Sequence, residues 1–177
     1  MNYFQETLKI NQVTDREEVY GLIPMICQSF GTVAEELGIN QEDYPGNGAF
    51  TNKGHMNKLL MKGIKFFALH ADDKIVGCVG VEKISDIKYK INRLAVLPSE
   101  RHKGYGKVLL DFVEEYVTSQ KGLAVGLGMI NENEPLKTWY LANGFKVKKI
   151  RNSRNSRFSI CFLEKLLKAD PVVKEMR

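Results

Sequence analysis

The segment from Arg93 to Leu110, RLAVLPSERHKGYGKVLL, constrains the fold more than any other stretch of this chain. Its first part reads as a strand that ends in Leu-Ala-Val-Leu-Pro, and a basic turn with two glycines follows. A helix comes next, because Leu109, Phe112 and Val113 fall at i, i+3 and i+4. The sequence therefore predicts a strand, a tight turn and an amphipathic helix in direct succession.

That turn has the composition of an anion-binding site. The first amides of a helix lack intrahelical partners, and the helix dipole makes its N-terminus positive. Gly104 and Gly106 let the backbone approach a ligand without an intervening Cβ. Arg101, Lys103 and Lys107 add positive charge around the same point. A pyrophosphate fits this description, although the spacing is neither that of a P-loop nor that of a GxGxxG turn.

The rest of the chain predicts an α/β (α+β) fold with one mixed central sheet of six to seven strands flanked by helices. The predicted strands are Leu8–Val13, Lys65–His70, Lys74–Ile84, Ile87–Leu97, Leu123–Met129, Phe145–Ile150 and Phe158–Leu163. Besides the helix after the turn, we predict a helix from Asp15 to about Phe30, a second helix that finishes over Asn57–Lys62, and another between Asn133 and Gly144. The segment between Gly31 and Gly54 reads as irregular, and a loop of this kind can shape a substrate pocket.

Length and composition bound the class of protein. The 177 residues suit one domain, which we place at 1–166 with a short tail over 167–177. The longest apolar run, Ile75–Val81, is far shorter than the ~20 residues that span a bilayer, and the first residues are polar. Three separated cysteines form neither a disulfide framework nor a metal motif. We expect a soluble, cytoplasmic protein with no metal and no membrane partner.

The net charge is +5, which favours an anionic partner. The basic stretch from Lys146 to Arg157 is interpreted either as a solvated hairpin or as a nucleic-acid patch. No aromatic residue alternates with its cations, whereas single-strand binders stack bases on aromatic side chains. Composition therefore favours the hairpin and argues against nucleic acid as a partner.

Two motifs resemble the GNAT superfamily of acyl-CoA-dependent N-acetyltransferases. Arg101-x-x-Gly104-x-Gly106 is similar to the R/Q-x-x-G-x-G/A pyrophosphate loop of that family, and it stands between a strand and a helix as the family requires. The block from Asn133 to Phe145, NEPLKTWYLANGF, resembles a second family segment with an Asn, a Tyr seven residues on, and a terminal Gly-Phe. Together they cover about the last half of the domain.

The resemblance implies acetyl-CoA as acetyl donor and an amine of a small molecule or peptide as acceptor. It implies that the backbone of one strand pairs with the pantetheine arm, that the loop amides hold the pyrophosphate, and that an Asn contacts the cofactor. The cofactor-binding residues would be Leu94, Ala95, Val96, Arg101, His102, Lys103, Gly104, Tyr105, Gly106, Lys107 and Asn133. Tyr140 would face the thioester sulfur as general acid, and the alternative for Tyr140 is a ring packed on the helix face with Leu136.

The general base is less evident, because Lys90 stands where many family members carry a glutamate. Glu82 on the neighbouring strand is the candidate base, directly or through a water, and its alternative is a solvent-facing strand residue. The same departure at Lys90 leaves open a second function, a module that binds acyl-CoA with little turnover. A homodimer through the C-terminal strands is a family expectation, and the identity of the acceptor is not encoded in any motif.

Overall fold

The computed structural model describes residues 6–152 and 156–168. The strands are β1 (Leu8–Val13), β2 (Lys65–Ala71), β3 (Lys74–Lys83), β4 (Lys88–Val96), β5 (Ala124–Ile130), β6 (Lys146–Asn152) and β7 (Ser159–Leu166). The helices are α1 (Arg16–Gly21), α2 (Ile23–Glu36), α3 (Lys53–Met61), α4 (Tyr105–Ser119) and α5 (Glu134–Ala142). The predicted order of the strands is confirmed, and the structure has one helix more than predicted between β1 and β2.

The strands form one seven-stranded sheet in the order β1-β2-β3-β4-β5-β7-β6. The β4–β5 pair is parallel, and the pairs β1–β2, β2–β3, β5–β7 and β6–β7 are antiparallel. The sheet is therefore mixed, and the predicted α/β class with six to seven strands is confirmed.

The first predicted helix is wrong in two respects. Pro24 stands in the first turn of α2, where its missing N–H costs nothing, so the chain forms two helices that meet at Leu22. Gly31 does not end the second of them, which continues to Glu36 and turns part of the predicted irregular segment into helix. The helix predicted to finish over Asn57–Lys62 is α3, which has Lys62 as its C-cap, and the side chain of Asn52 caps its N-terminus by accepting from the His55 amide at 3.0 Å.

The chain forms two compact units, of which the first comprises residues 1–82 and 92–111. Its core is a cluster of buried apolar side chains from α1, α2, α3, β2, β3 and β4. These are Val19, Leu22, Met25, Ile26, Met56, Ile64, Phe66, Ala68, Cys78 and Ala95. Cys78 packs in this core as a small buried hydrophobic residue, and burial raises the pKa of its thiol to about 12.

The second unit comprises residues 83–91 and 112–177, and its apolar interior includes Val113, Val125, Phe145 and Leu163. Strand β6 is exposed along its whole length and pairs with β7, so the basic stretch is a solvated hairpin in the part that the structure describes. Arg154 lies outside the described residues, as does most of the predicted tail over 167–177. No helix in the described part of the chain is long and apolar enough to cross a membrane.

Candidate active site

The loop that follows β4 leads directly into the N-terminus of α4. The first intrahelical bond runs from the Val108 amide to the Gly104 carbonyl at 3.1 Å, so the amides of residues 105–107 have no acceptor within the helix. Gly104 has a φ of +87°, and a Cβ added there would meet no atom within 4 Å. The space beside the Cα of Gly104 is therefore open, and helix N-terminal amides without intrahelical acceptors are groups to which a pyrophosphate can bind.

The basic side chains of this loop bind protein groups. Arg101 donates to the Ser29 carbonyl at 2.7 Å and to the Thr32 hydroxyl at 3.0 Å, so its guanidinium ties the loop to α2. Lys103 lies 2.7 Å from the Glu100 carboxylate, which also accepts from Lys74 at 2.6 Å. These two lysines hold the pKa of Glu100 down, at about 2. Lys107 also has a partner within the protein, since it pairs with Asp111.

Tyr105 and His102 are two further residues of this loop. The Tyr105 ring is buried, and its hydroxyl donates to Glu6 at 2.6 Å, which together with burial raises the pKa of Tyr105 to about 12. His102 is exposed with a φ of +64°, a left-handed conformation that non-glycine residues adopt rarely. The side chain of Tyr105 therefore anchors the loop. If Tyr105 binds a ligand directly, it does so through its backbone amide.

The segment from Leu94 to Val96 lies against glycines of β3. A Cβ on Gly77 would come within 2.9 Å of the Ala95 carbonyl oxygen, and one on Gly80 within 3.2 Å of the Asn92 carbonyl oxygen. These close approaches pack the second half of β4 tightly onto its neighbour. Between them stands Arg93, which has a φ of +50° and interrupts the regular strand conformation. No sequence motif marked Arg93 as a functional residue.

The side chain of Glu82 lies close to the irregular part of β4. The side-chain amide of Asn92 donates to the Glu82 carboxylate at 3.0 Å, and both residues are partly exposed. The carboxylate is thus held in one orientation on β3 while it retains access to water. Glu82, the segment Leu94–Val96 and the loop all belong to the first compact unit.

Tyr140 and Asn133 belong to the second unit, at the two ends of α5. Tyr140 is only 5% exposed, with edge-on ring contacts to Trp139 at 4.9 Å and to Phe145 at 5.4 Å between centroids. Among the described residues no hydrogen bond involves its hydroxyl, yet that oxygen is not among the fully buried unpaired atoms. The hydroxyl therefore keeps contact with solvent at the edge of a packed ring. Burial raises the pKa of Tyr140, which keeps the phenol protonated at neutral pH.

Asn133 caps α5, as the sequence predicts, by accepting from the Leu136 amide at 3.2 Å. That bond occupies the side-chain oxygen and leaves the NH2 group as the donor with which a ligand could be bound. Of residues 6–152 and 156–168, no group of three His, Cys, Asp or Glu side chains could hold a metal ion.

The chain is similar to known proteins in sequence and in fold. The family model for the acetyltransferase (GNAT) domain matches residues 62–147, which include the loop and both motif regions. The ribosomal-protein-S18-alanine N-acetyltransferase of Escherichia coli is similar in structure, with a TM-score of 0.72, 13% identity, and coverage of 92% of this chain and 95% of that one.

Two other structures contain the coenzyme. The PaiA N-acetyltransferase of Thermoplasma acidophilum, in complex with coenzyme A, has a TM-score of 0.69 at 22% identity and covers 90% of this chain and 99% of that one. A GNAT acetyltransferase of Elizabethkingia anophelis with acetyl-CoA bound has a TM-score of 0.67 at 14% identity, with coverages of 90% and 98%. At these identities the likeness shows the fold.

Residues 62–147 thus carry the acetyltransferase (GNAT) domain of an acyltransferase, and the fold of the chain agrees with it. The predicted resemblance is therefore confirmed. The roles of individual site residues remain predictions.

Proposed function

We propose that this protein transfers the acetyl group of acetyl-CoA to a primary amine of a small molecule or peptide. The observation that carries the proposal is the N-terminus of α4, where amides without intrahelical acceptors follow Gly104, a residue with open space beside its Cα. A pyrophosphate is the part of acetyl-CoA that such a site would bind, with the pantetheine arm along Leu94–Val96. That binding is expected to come from the loop backbone, since Arg101, Lys103 and Lys107 already bond to protein groups.

The reaction requires two proton movements. The amine nitrogen attacks the acetyl carbonyl carbon, the carbon–sulfur bond breaks, and the coenzyme leaves as a thiolate that must take up a proton. Tyr140 is the proposed donor, because its hydroxyl is unpaired among the described residues, protonated at neutral pH and set in a packed ring. Because burial keeps the Tyr140 phenol protonated at neutral pH, it has a proton to give to the leaving thiolate.

The attacking amine must lose a proton. Glu82 is the proposed acceptor of that proton through a water, because the Asn92 amide orients its carboxylate and its position is open to solvent. The alternative is that the amine deprotonates in bulk water before it binds. Lys90, which replaces the glutamate of many relatives, is assigned no part in this step.

The direct test combines binding and turnover. Acetyl-CoA should raise the melting temperature of the protein and bind with a stoichiometry of about one in calorimetry. A panel of chemically diverse amines should then release free thiol only in the presence of the right acceptor. Binding without any turnover would favour an acyl-CoA-binding module instead, and absence of binding would contradict both functions.

A further inference from the structure

Arg93 is a cation without an anion. A guanidinium has five N–H donors, and of those on Arg93 one is used, in a bond from Nη2 to the Gly46 carbonyl oxygen at 3.0 Å. Nε is the only buried side-chain nitrogen or oxygen without a partner in residues 6–152 and 156–168. Across the same residues Arg93 takes part in no ion pair.

The surroundings of this guanidinium do not compensate its charge. Its Cζ lies 5.9 Å from the centroid of the Phe30 ring, and the ionisable groups close enough to act on it are the thiols of Cys27 and Cys78. Burial lowers the pKa of Arg93, yet an arginine stays charged at any pH at which the protein is folded. A partly buried cation with unused donors costs free energy unless an anion completes it.

The position is held from several sides. The Cys78 thiol donates to the Arg93 carbonyl oxygen at 3.8 Å, and the backbone stands at a φ of +50°, which an arginine adopts only under constraint. Phe30 is fixed in turn, because a Cβ added to Gly48 would lie 2.3 Å from its ring. The guanidinium is thus placed between α2 and the loop that contains Gly46.

The place of Arg93 along β4 indicates which ligand would reach it. If the pyrophosphate binds at the loop and the arm follows Val96 back to Leu94, the thioester end lies beside Arg93. This step rests on the proposed function. The reacting end of acetyl-CoA would then lie beside Arg93, whose guanidinium has four N–H groups that donate no hydrogen bond.

We propose that Arg93 binds a carboxylate of the acceptor, so that the substrate is an amine that carries a carboxylate. The planar guanidinium fork matches a carboxylate with two parallel hydrogen bonds, which a lysine cannot reproduce. Arg93 would orient the acceptor amine and would determine specificity against uncharged amines, whose binding leaves the partly buried guanidinium without its anion.

The test measures binding of matched ligands to the protein saturated with coenzyme A. L-amino acids and ω-amino acids, each beside its carboxamide, are titrated by calorimetry into the natural protein and into Arg93→Gln, Arg93→Lys and Arg151→Gln. Arg151 is an exposed arginine of β6, so Arg151→Gln controls for the loss of one positive charge. Melting temperature and acetyl-CoA affinity verify that each variant is folded.

In the natural protein and in Arg151→Gln, at least one carboxylate should bind about ten- to a hundredfold more tightly than its carboxamide. The preference should fall to about one in Arg93→Gln, with Arg93→Lys in between. No preference in the natural protein, or an equal preference in Arg93→Gln, would overturn the proposal. Tighter Arg93-dependent binding of aminoethylphosphonate than of β-alanine would overturn the carboxylate assignment in favour of a phosphate-type oxyanion.

The binding test remains decisive if the proposed function fails. Should coenzyme A not bind, the same ligands are titrated into the free protein with the same criteria. Should the coenzyme bind and no amine be acetylated, the transferase activity is contradicted while the carboxylate preference still decides the role of Arg93.

Discussion

The loop after β4 and the site at Arg93 use positive charge in opposite ways. In the loop, Arg101 bonds to α2, Lys103 bonds to Glu100 and Lys107 bonds to Asp111, so the side chains bind protein groups, and the amides of residues 105–107 are the groups without an intrahelical partner. At Arg93 the side chain itself keeps four unused donors, and one backbone carbonyl is its only hydrogen-bonding partner in the described residues.

This difference shows that a cluster of cations in a sequence does not by itself locate the cations that bind ligand. Exposed charges pair readily with neighbouring carboxylates, as Glu100 does with two lysines. A cation that the fold partly buries without such a partner is the one that needs an external anion. The loop should therefore respond to changes of its backbone, and the Arg93 site to changes of its side chain.

The largest effect is expected from Gly104→Val, which changes the loop backbone. Its side chain would enter the space in front of the α4 amides, so steric conflict and lost amide hydrogen bonds should weaken acetyl-CoA by at least about a thousandfold in calorimetry. Gly63→Val is the matched control, because Gly63 has a φ of +78° and also meets no atom within 4 Å. It should lose comparable stability and keep its affinity. Equal affinities in both variants would contradict binding at the loop.

Tyr140→Phe should lower kcat by about a hundredfold, since the ring contacts remain and only the proton donor is removed. The acetyl-CoA dissociation constant and the melting temperature should stay unchanged, because the hydroxyl has no hydrogen bond to lose in the described part of the chain. A kcat within twofold of the natural value would reduce Tyr140 to a core residue.

Glu82→Gln tests the proposed general base, and we expect a smaller loss of kcat than in Tyr140→Phe. If the carboxylate removes the amine proton, the acidic limb of the pH–rate profile should disappear or move markedly, with a loss in kcat of about tenfold or more. Gln can still accept from Asn92, so the local structure should persist. An unchanged acidic limb would assign deprotonation to the acceptor itself in bulk water.

The smallest effect concerns the ion pairs of Glu100, which belong to the loop. The pKa of Glu100 is about 2 in the folded protein against an ordinary value of 4.5, so its charge stabilises the fold above pH 4.5 and ceases to do so as the pH falls to 2. Glu100→Gln should therefore lower the melting temperature by about 1 to 3 °C at pH 7. The difference from the natural protein should close between pH 4.5 and 2, and a constant difference would contradict the ionic origin.

Local patterns predicted most of the fold. The strand–turn–helix segment from Arg93 to Leu110 and the capped helix after Asn133 carry their signals within a few residues. The apolar period runs on through Pro24 and does not reveal the break before α2, and α2 continues past Gly31 into the segment that the sequence predicts as irregular.

The candidate site could be predicted only where a motif marks it. Partnerships depend on residues distant in sequence, such as Arg101 with Ser29, which are 72 positions apart. The same holds for Arg93, whose withdrawal from water follows from Gly46 and Phe30. No local sequence pattern predicts which cation pairs with a group of the protein and which does not.

The most direct test of backbone binding at the loop is a titration of the isotope-labelled protein with acetyl-CoA, followed by amide and arginine side-chain NMR. The amides of Gly104 and Gly106 should show shifts among the largest in the protein, while the Nε–H resonance of Arg101 stays in place because Ser29 and Thr32 keep its guanidinium. Saturable binding with unshifted Gly104 and Gly106 amides and a displaced Arg101 resonance would contradict the account.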